Sequence, residues 1–151
     1  MNMKDERQFV GYSKYRSRLV DGHVHTELCP HGSGDRTALM IEKAIELRIE
    51  KVCLTEHAPL PAGFAAEYGG DKKAYNTASL KLNQVDSYLE LGRQLQRAYG
   101  THIDISLGFE VDYIPGFETD IQEFLDRYGP LTDDNILSVH FMEGVNNAFY
   151  C

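Results

Sequence analysis

The chain has 151 residues, 42% of them hydrophobic, which is enough to bury the core of one domain. Fifteen basic against 23 acidic residues leave a net charge of -8, and Lys72-Lys73 is the largest basic block, so nucleic acid and anionic membrane are excluded as expected partners. Three cysteines at irregular spacing form no disulfide framework, and no apolar run has the length of a signal peptide or a membrane span. A soluble, unprocessed protein of the reducing cytoplasm is expected.

Residues 1–18 are polar and charged and read as a tail; residues 19–151 read as one domain in which short β-like runs alternate with amphipathic stretches, the pattern of a parallel α/β fold. The first run spans Leu19 to His25. Asp35 is then expected to cap a helix with Ala38, Ile41, Ala44 and Ile45 on its apolar side. The second run, Lys51 to His57, ends at Ala58-Pro59-Leu60-Pro61, where proline forces a loop. A second helix carries Leu82, Val85, Leu89 and Leu95 and stops at Gly100. The third run, His102 to Asp112, is followed by a helix that Thr119 and Gln122 are expected to open with a capping box. The fourth run is Asn135 to Phe141.

Alternate residues of a strand share a face, so each run can be divided in two. Ile103, Ile105, Leu107, Phe109 and Val111 fall on one side of the third run, and Asp104, Ser106, Glu110 and Asp112 on the other. The same division sets Asp21, His23 and His25 apart from Val20 and Val24, His57 apart from Val52 and Leu54, and His140 apart from Val139 and Phe141. His23, His25, His57, Glu110 and His140 therefore lie late in four strands on the face turned away from the helices. Active sites of parallel α/β folds gather at that end. Imidazole and carboxylate donors suit zinc, iron or manganese, and a carboxylate such as Glu110 can bridge two ions. His31 either joins this site or is a solvated loop residue. Asp21 is expected to orient a ligand histidine through a hydrogen bond. Cys53 is expected in the core, His102 at the surface, and Glu56, on the opposite parity, at a loop edge or facing the helices.

Four segments then resemble one family: Asp21-Gly-His23-Val-His25 with Cys29-Pro-His31-Gly, Thr55-Glu-His57-Ala-Pro-Leu-Pro61, Gly108-Phe-Glu110-Val-Asp-Tyr-Ile-Pro-Gly116 and Ser138-Val-His140-Phe. They look like the histidinol-phosphate phosphatases of the polymerase and histidinol phosphatase (PHP) superfamily. The resemblance implies a distorted (β/α)7 barrel with about two or three divalent ions, Zn, Fe or Mn, that hydrolyses L-histidinol phosphate to L-histidinol and phosphate in histidine biosynthesis, by a metal-activated hydroxide. It implies metal ligands at His23, His25, His31, His57, Glu110 and His140.

The family's pattern continues with another histidine, an Asp-x-His pair and basic residues for the substrate phosphate, and none of these can be located here. A closed β/α barrel usually takes more than about 200 residues, so the expectation is a partial barrel of about four β/α units, incomplete at its C-terminus. Its first and fourth runs would be open edges, prone to self-association. The isolated chain is accordingly expected to be marginally folded, with little phosphatase activity. The competing readings are an inactive fragment that keeps part of the metal site, and a PHP phosphoesterase with another substrate.

Overall fold

The structure, a computed structural model, describes residues 18–144 and 148–150; the predicted tail up to residue 17 lies outside the described residues. In chain order the elements are β1 (Val20–Val24), α1 (Thr37–Glu46), β2 (Lys51–His57), α2 (Phe64–Glu67), α3 (Lys72–Thr77), α4 (Val85–Tyr99), β3 (Asp104–Asp112), α5 (Glu118–Tyr128), β4 (Ile136–Ser138), β5 (Met142–Glu143) and β6 (Phe149–Tyr150). The first four strands form one parallel sheet in the order β1-β2-β3-β4, a curled half-barrel of the expected α/β type, and β5 and β6 pair as a small antiparallel ribbon. No helix among the described residues is long and apolar enough to cross a membrane.

The predicted division of faces holds through the centre of the sheet. Val52, Leu54, Ile105, Leu107, Phe109 and Val111 are buried against Ile41 and Ala44 of α1 and Val85, Tyr88, Leu89 and Leu95 of α4 in one apolar core. At about 25 cal/mol per Å² of apolar surface removed from water, this layer supplies the main driving force for folding. Tyr88 adds a polar tie. Its buried hydroxyl lies 2.6 Å from the carbonyl of Gly108 and 3.0 Å from that of Leu54, and it accepts the N–H of Glu56. One side chain of α4 thus fixes the upper halves of β2 and β3, where the candidate ligands sit.

Two glycines are required by close approach. A Cβ on Gly108 would lie 1.6 Å from the backbone oxygen of Asp134, so the loop before β4 could not pass. A Cβ on Gly92 would lie 2.3 Å from Leu107, which brings α4 down on β3.

Several local expectations are corrected. The fourth strand runs only over Ile136–Ser138, because the lower edge of β3 is already satisfied by the loop: Asp133 and Asn135 side chains accept the N–H groups of Leu107 and Phe109. Asp35 does not cap α1; the carboxylate of Glu27 accepts the N–H of Thr37 instead. Thr119 lies inside α5, whose entry is held by Glu118 accepting from the N–H of Gly116, so the predicted capping box is absent. Leu82 precedes α4 in a 3-10 turn and is exposed, and Cys53 is half-buried rather than in the core.

A second apolar cluster sits above the carboxyl ends of the strands. Phe64, Ile114, Phe141 and Phe149 are buried, with Tyr68, Tyr75 and Phe117 packed around them. The Phe64 ring meets those of Phe117, Phe141 and Phe149 edge-on at 5.1 to 5.4 Å, an arrangement favoured by aromatic quadrupoles. This cluster anchors α2 and the β5–β6 ribbon and walls one side of the candidate site.

Candidate metal centre

Five histidine rings meet at the carboxyl end of the sheet. Ring centroids of His25 and His57 are 4.4 Å apart, His23 and His25 4.9 Å, His31 and His57 5.0 Å, and His57 and His140 5.5 Å. Glu110 lies beneath them. Its Oε2 is 3.0 Å from His23 Nε2, 3.2 Å from His57 Nδ1 and 3.5 Å from His25 Nε2, and its Oε1 is 3.4 Å from His140 Nε2. The register explains the convergence. His57 pairs laterally with Glu110 across β2 and β3, and lateral neighbours in a sheet share a face. Ser138 of β4 donates its hydroxyl to Glu110 from the other side.

The structure gathers His23, His25, His57, Glu110 and His140 as the strand parity predicts. His31 enters from the loop after β1, its ring against those of His25 and His57. Asp21 does not orient a histidine: it is exposed, and no hydrogen bond joins its side chain to one among the described residues. A bulge is the reason. Asp21 pairs with Val52 and Val24 with Leu54, so β1 carries one residue more than β2 between these pairs. The extra residue throws Asp21 out of phase, onto the helix side with Val52, while His23 and His25 still flank Val24 on the inner side.

The orienting role falls to Glu56 and Asp112, which the sequence reading did not assign. Glu56 is fully buried. Its Oε2 accepts from the backbone N–H and the hydroxyl of Thr26, and its Oε1 lies 3.2 Å from His25 Nδ1. Although it sits on the helix side of β2, its carboxylate reaches the chain just past β1, an edge strand with no further neighbour in the sheet. Asp112 ends β3 and accepts from both the N–H and the Nδ1 of His140, at 3.1 and 2.9 Å. Its place two residues after Glu110 on the same face was the available signal.

These contacts define the ring tautomers. A carbonyl or an ionised carboxylate only accepts, so the partner nitrogen carries the proton. His31 Nδ1 donates to the carbonyl of Thr77 at 2.7 Å, His25 Nδ1 to Glu56, and His140 Nδ1 to Asp112. Three rings therefore keep Nε2 as the nitrogen without the committed proton, that of His25 lying 3.1 Å from His23 Nε2. Such a second partner behind each imidazole is the arrangement that prepares a metal ligand.

Electrostatics agree. Burial pulls Glu56 upward, but hydrogen bonds from His25 and Thr26 outweigh it and hold its carboxyl below the usual carboxylate range. The hydrogen bond to Glu56 raises His25. Burial likewise pulls Glu110 upward, and the Ser138 hydrogen bond with His57, His23 and His140 reverses this to a lowered value. Burial pushes His57 down to about 4, against the attraction of Glu110. Asp112 is raised, chiefly by burial.

The donor set fits a divalent cation. His57 Nδ1 is buried and has no hydrogen-bond partner, although a carboxylate oxygen lies 3.2 Å away. His25 Nε2 crowds the same Glu110 oxygen at 3.5 Å and lies 3.1 Å from His23 Nε2. A buried ring nitrogen left without a hydrogen bond is costly, and an ion held between it and the carboxylate would satisfy both. Two groups have donor atoms close enough to share an ion: His23, His25 and Glu110, and His57, Asp112 and His140. A third, His25, Cys29 and Glu56, differs because the Glu56 oxygens are already engaged by Thr26 and His25. His102 and Asp104 lie at the opposite end of the sheet and are exposed.

Known proteins resemble this chain in sequence and fold. Histidinol-phosphatase of Bacillus subtilis (strain 168) is 39% identical over 131 residues, which are 87% of this chain and 47% of that protein. A crystal structure from Listeria monocytogenes, assigned as a histidinol phosphatase, superposes with a TM-score of 0.83 at 43% identity, over 86% of this chain and 47% of that one. The histidinol phosphate phosphatase of Lactococcus lactis subsp. lactis Il1403, solved with zinc, L-histidinol and phosphate, superposes with a TM-score of 0.63 at 25% identity, over 83% of this chain and 41% of that one. The chain spans about half the length of the curated relatives it matches. The PHP domain family matches residues 21–150, and the chain belongs to that family.

Proposed function

We propose that this chain carries the metal-binding part of a phosphomonoester hydrolase acting on L-histidinol phosphate, with L-histidinol and phosphate as products and histidine biosynthesis as its setting. The observation that carries the reading is the set of imidazoles around Glu110, three of them with Nδ1 already committed to an acceptor. The name of the Bacillus subtilis relative and the zinc, L-histidinol and phosphate in the Lactococcus lactis structure support this choice of substrate.

His23, His25, His31, His57, Glu110 and His140 would hold about two or three divalent ions, with imidazole and carboxylate donors suited to zinc, iron or manganese. When bound, such ions supply Lewis-acid charge to phosphoryl oxygens and make water a stronger acid near neutral pH. The chain's own residues prepare this chemistry. Glu56, Thr77 and Asp112 fix the ring orientations, Ser138 holds Glu110, and burial keeps His57 unprotonated near neutral pH, so its nitrogen remains a donor. Cys29 and Cys53 are free thiols, which suits a reducing cytoplasm.

One observation favours a second reading, metal binding without turnover by these residues alone. Leu137 and Val139, on the side of β4 that would face a helix, are 69% and 60% exposed. A substrate panel distinguishes the readings. Phosphate release from L-histidinol phosphate by the zinc-loaded chain, in preference to nucleoside monophosphates, supports the first. Preferential turnover of nucleotides contradicts it, and zinc retention with no release from any substrate supports the second.

A further inference from the structure

A groove between the β2–α2 connection and α5 is lined by none of the proposed metal ligands. Its volume is about 430 Å³, and its apolar lining comes from Pro59, Leu60, Pro61 and Leu80 on one side and Phe124 and Tyr128 of α5 on the other. These walls are pre-formed. The two prolines have fixed φ and no N–H, and the Pro61 carbonyl is taken by the N–H of Phe64 at 3.2 Å, so this wall offers mainly apolar contact. Leu80 is buried, and its N–H donates to the carbonyl of His57 at 3.2 Å. Phe124 is held by the rings of Phe109 and Tyr128, at 5.1 and 4.9 Å. The exposed side chain of Leu82 stands at the mouth.

Four charged residues surround this apolar space: Lys81, Arg127, Asp120 and Glu123. The two cations are already engaged. Lys81 Nζ donates to the carbonyl of Asn76 at 3.0 Å, and the Arg127 guanidinium lies 5.0 Å from the centre of the Tyr128 ring, a cation–π contact. Glu123 and Arg127 have the four-residue spacing of an intrahelical ion pair, but Arg127 turns to the tyrosine instead. The carboxylates of Asp120 and Glu123 are therefore left without a hydrogen-bond or ion-pair partner among the described residues. Asp120 sits in the first turn of α5 and complements the helix dipole; Glu123 lies too far along for that role. Three residues apart, they share one face of the helix. A narrow cleft that shares Pro59, Pro61, Asp120 and Phe124 with the groove leads on to the buried carboxylate of Asp112, so the inner end is negative as well.

We propose that this groove is a second ligand site, which takes a small primary amine with an apolar body. The ammonium lies against Asp120 and Glu123, and the body against Leu80, Phe124 and the Pro59–Pro61 wall. A carboxylate ligand would have to draw Lys81 or Arg127 out of its present contact and would still face both acidic side chains. The volume falls within the roughly 300–1,000 Å³ of pockets that enclose small molecules, room for an amine of about ten non-hydrogen atoms. Neither the metal centre nor the hydrolase reading is needed for this site.

The test uses two probes of similar body and opposite charge, phenethylamine and 3-phenylpropionate. Each is titrated into the zinc-loaded chain and into its Asp120→Asn/Glu123→Gln double variant, with amide signals followed by nitrogen–proton NMR. Both substituted positions are exposed on a helix, so the fold is retained. Phenethylamine is expected to shift the amides of residues 80–82 and 120–128 saturably and to bind at least about fivefold more tightly than 3-phenylpropionate, the effect of one or two exposed ion pairs. The double variant is expected to lose about fivefold in affinity for the amine and none for the acid. Removing zinc should leave amine binding unchanged. Equal affinity for the two probes, wild-type amine affinity in the double variant, or the absence of saturable shifts at these residues overturns the proposal. So does amine binding that disappears with zinc or that shifts only the amides around His31, His57 and His140.

Discussion

Replacing Glu56 by glutamine tests whether the site is prepared from behind its ligands. The carboxylate accepts from Thr26 N–H at 2.9 Å and the Thr26 hydroxyl at 2.7 Å through one oxygen, and from His25 Nδ1 at 3.2 Å and the His57 N–H at 3.3 Å through the other. Glutamine has the same shape but only one accepting oxygen, so its amide group must face a donor whichever way it turns. With the amide toward Thr26, the hydroxyl can rotate to accept, but the buried backbone N–H has lost its partner, a cost of about 1–3 kcal/mol. With the amide toward His25, the His57 N–H loses its acceptor, the ring must move its proton to Nε2, and the lone pair meant for a metal is gone. Loss of such an orienting partner weakens metal binding by about 10–100-fold. Glu56→Gln is therefore expected to lower the melting temperature of the metal-free chain by about 2–12 °C, at about 2–4 °C per kcal/mol for a domain of this size, or to weaken zinc binding, or both. Scanning calorimetry and competition with a zinc-sensitive dye measure the two. A variant that melts within about 1 °C of the parent and binds zinc within about twofold would refute the reasoning.

Three further outcomes are expected. In the metal-free chain the ring signals of His25 should take up a proton at higher pH than those of His57, since His25 is raised and His57 is lowered to about 4; nitrogen-detected NMR shows the order, and His57 titrating first would contradict the burial argument. The sign of the linked stability follows: a histidine with folded pKa below its ordinary 6.5 contributes fully above that pH, and its contribution is lost as acid takes the solution from 6.5 toward about 4. Gly108→Ala should abolish or severely destabilise folding, because the added methyl would meet the Asp134 carbonyl at 1.6 Å; a near-native melting temperature would mean that the loop before β4 is not where it is described. With Leu19, Val20, Leu137 and Val139 exposed along or beside the edge strands, the chain should self-associate as its concentration rises; light scattering that reports a monomer at all concentrations would refute this.

The sheet and most of the site were legible because strand alternation is a strong signal wherever a strand is regular. Glu110 could be assigned to the inner face from the five aliphatic or aromatic residues opposite it, and His57 and His140 by the same count. Asp21 was misplaced by the one irregular strand, since a bulge changes phase without a mark in composition: Gly22 is the only hint. Glu56 was missed for a related reason. Parity set its backbone correctly on the helix side, but a four-bond side chain next to an edge strand can reach beyond its own face. The short fourth strand and the helix starts were not readable, because they are decided by tertiary partners, Asp133 and Asn135 for β3 and Glu27 for α1, that lie up to 26 residues away.

Above all, Glu110 and the surrounding imidazoles should form a metal centre. This is tested most directly by the zinc retained per chain after loading and exhaustive dialysis, measured by mass spectrometry on the unmodified chain and on Glu110→Gln. About two or three ions are expected per parent chain and fewer than one in the variant, with an X-ray absorption spectrum of nitrogen and oxygen donors without sulfur. No zinc in the parent, or equal zinc in both proteins, would contradict it.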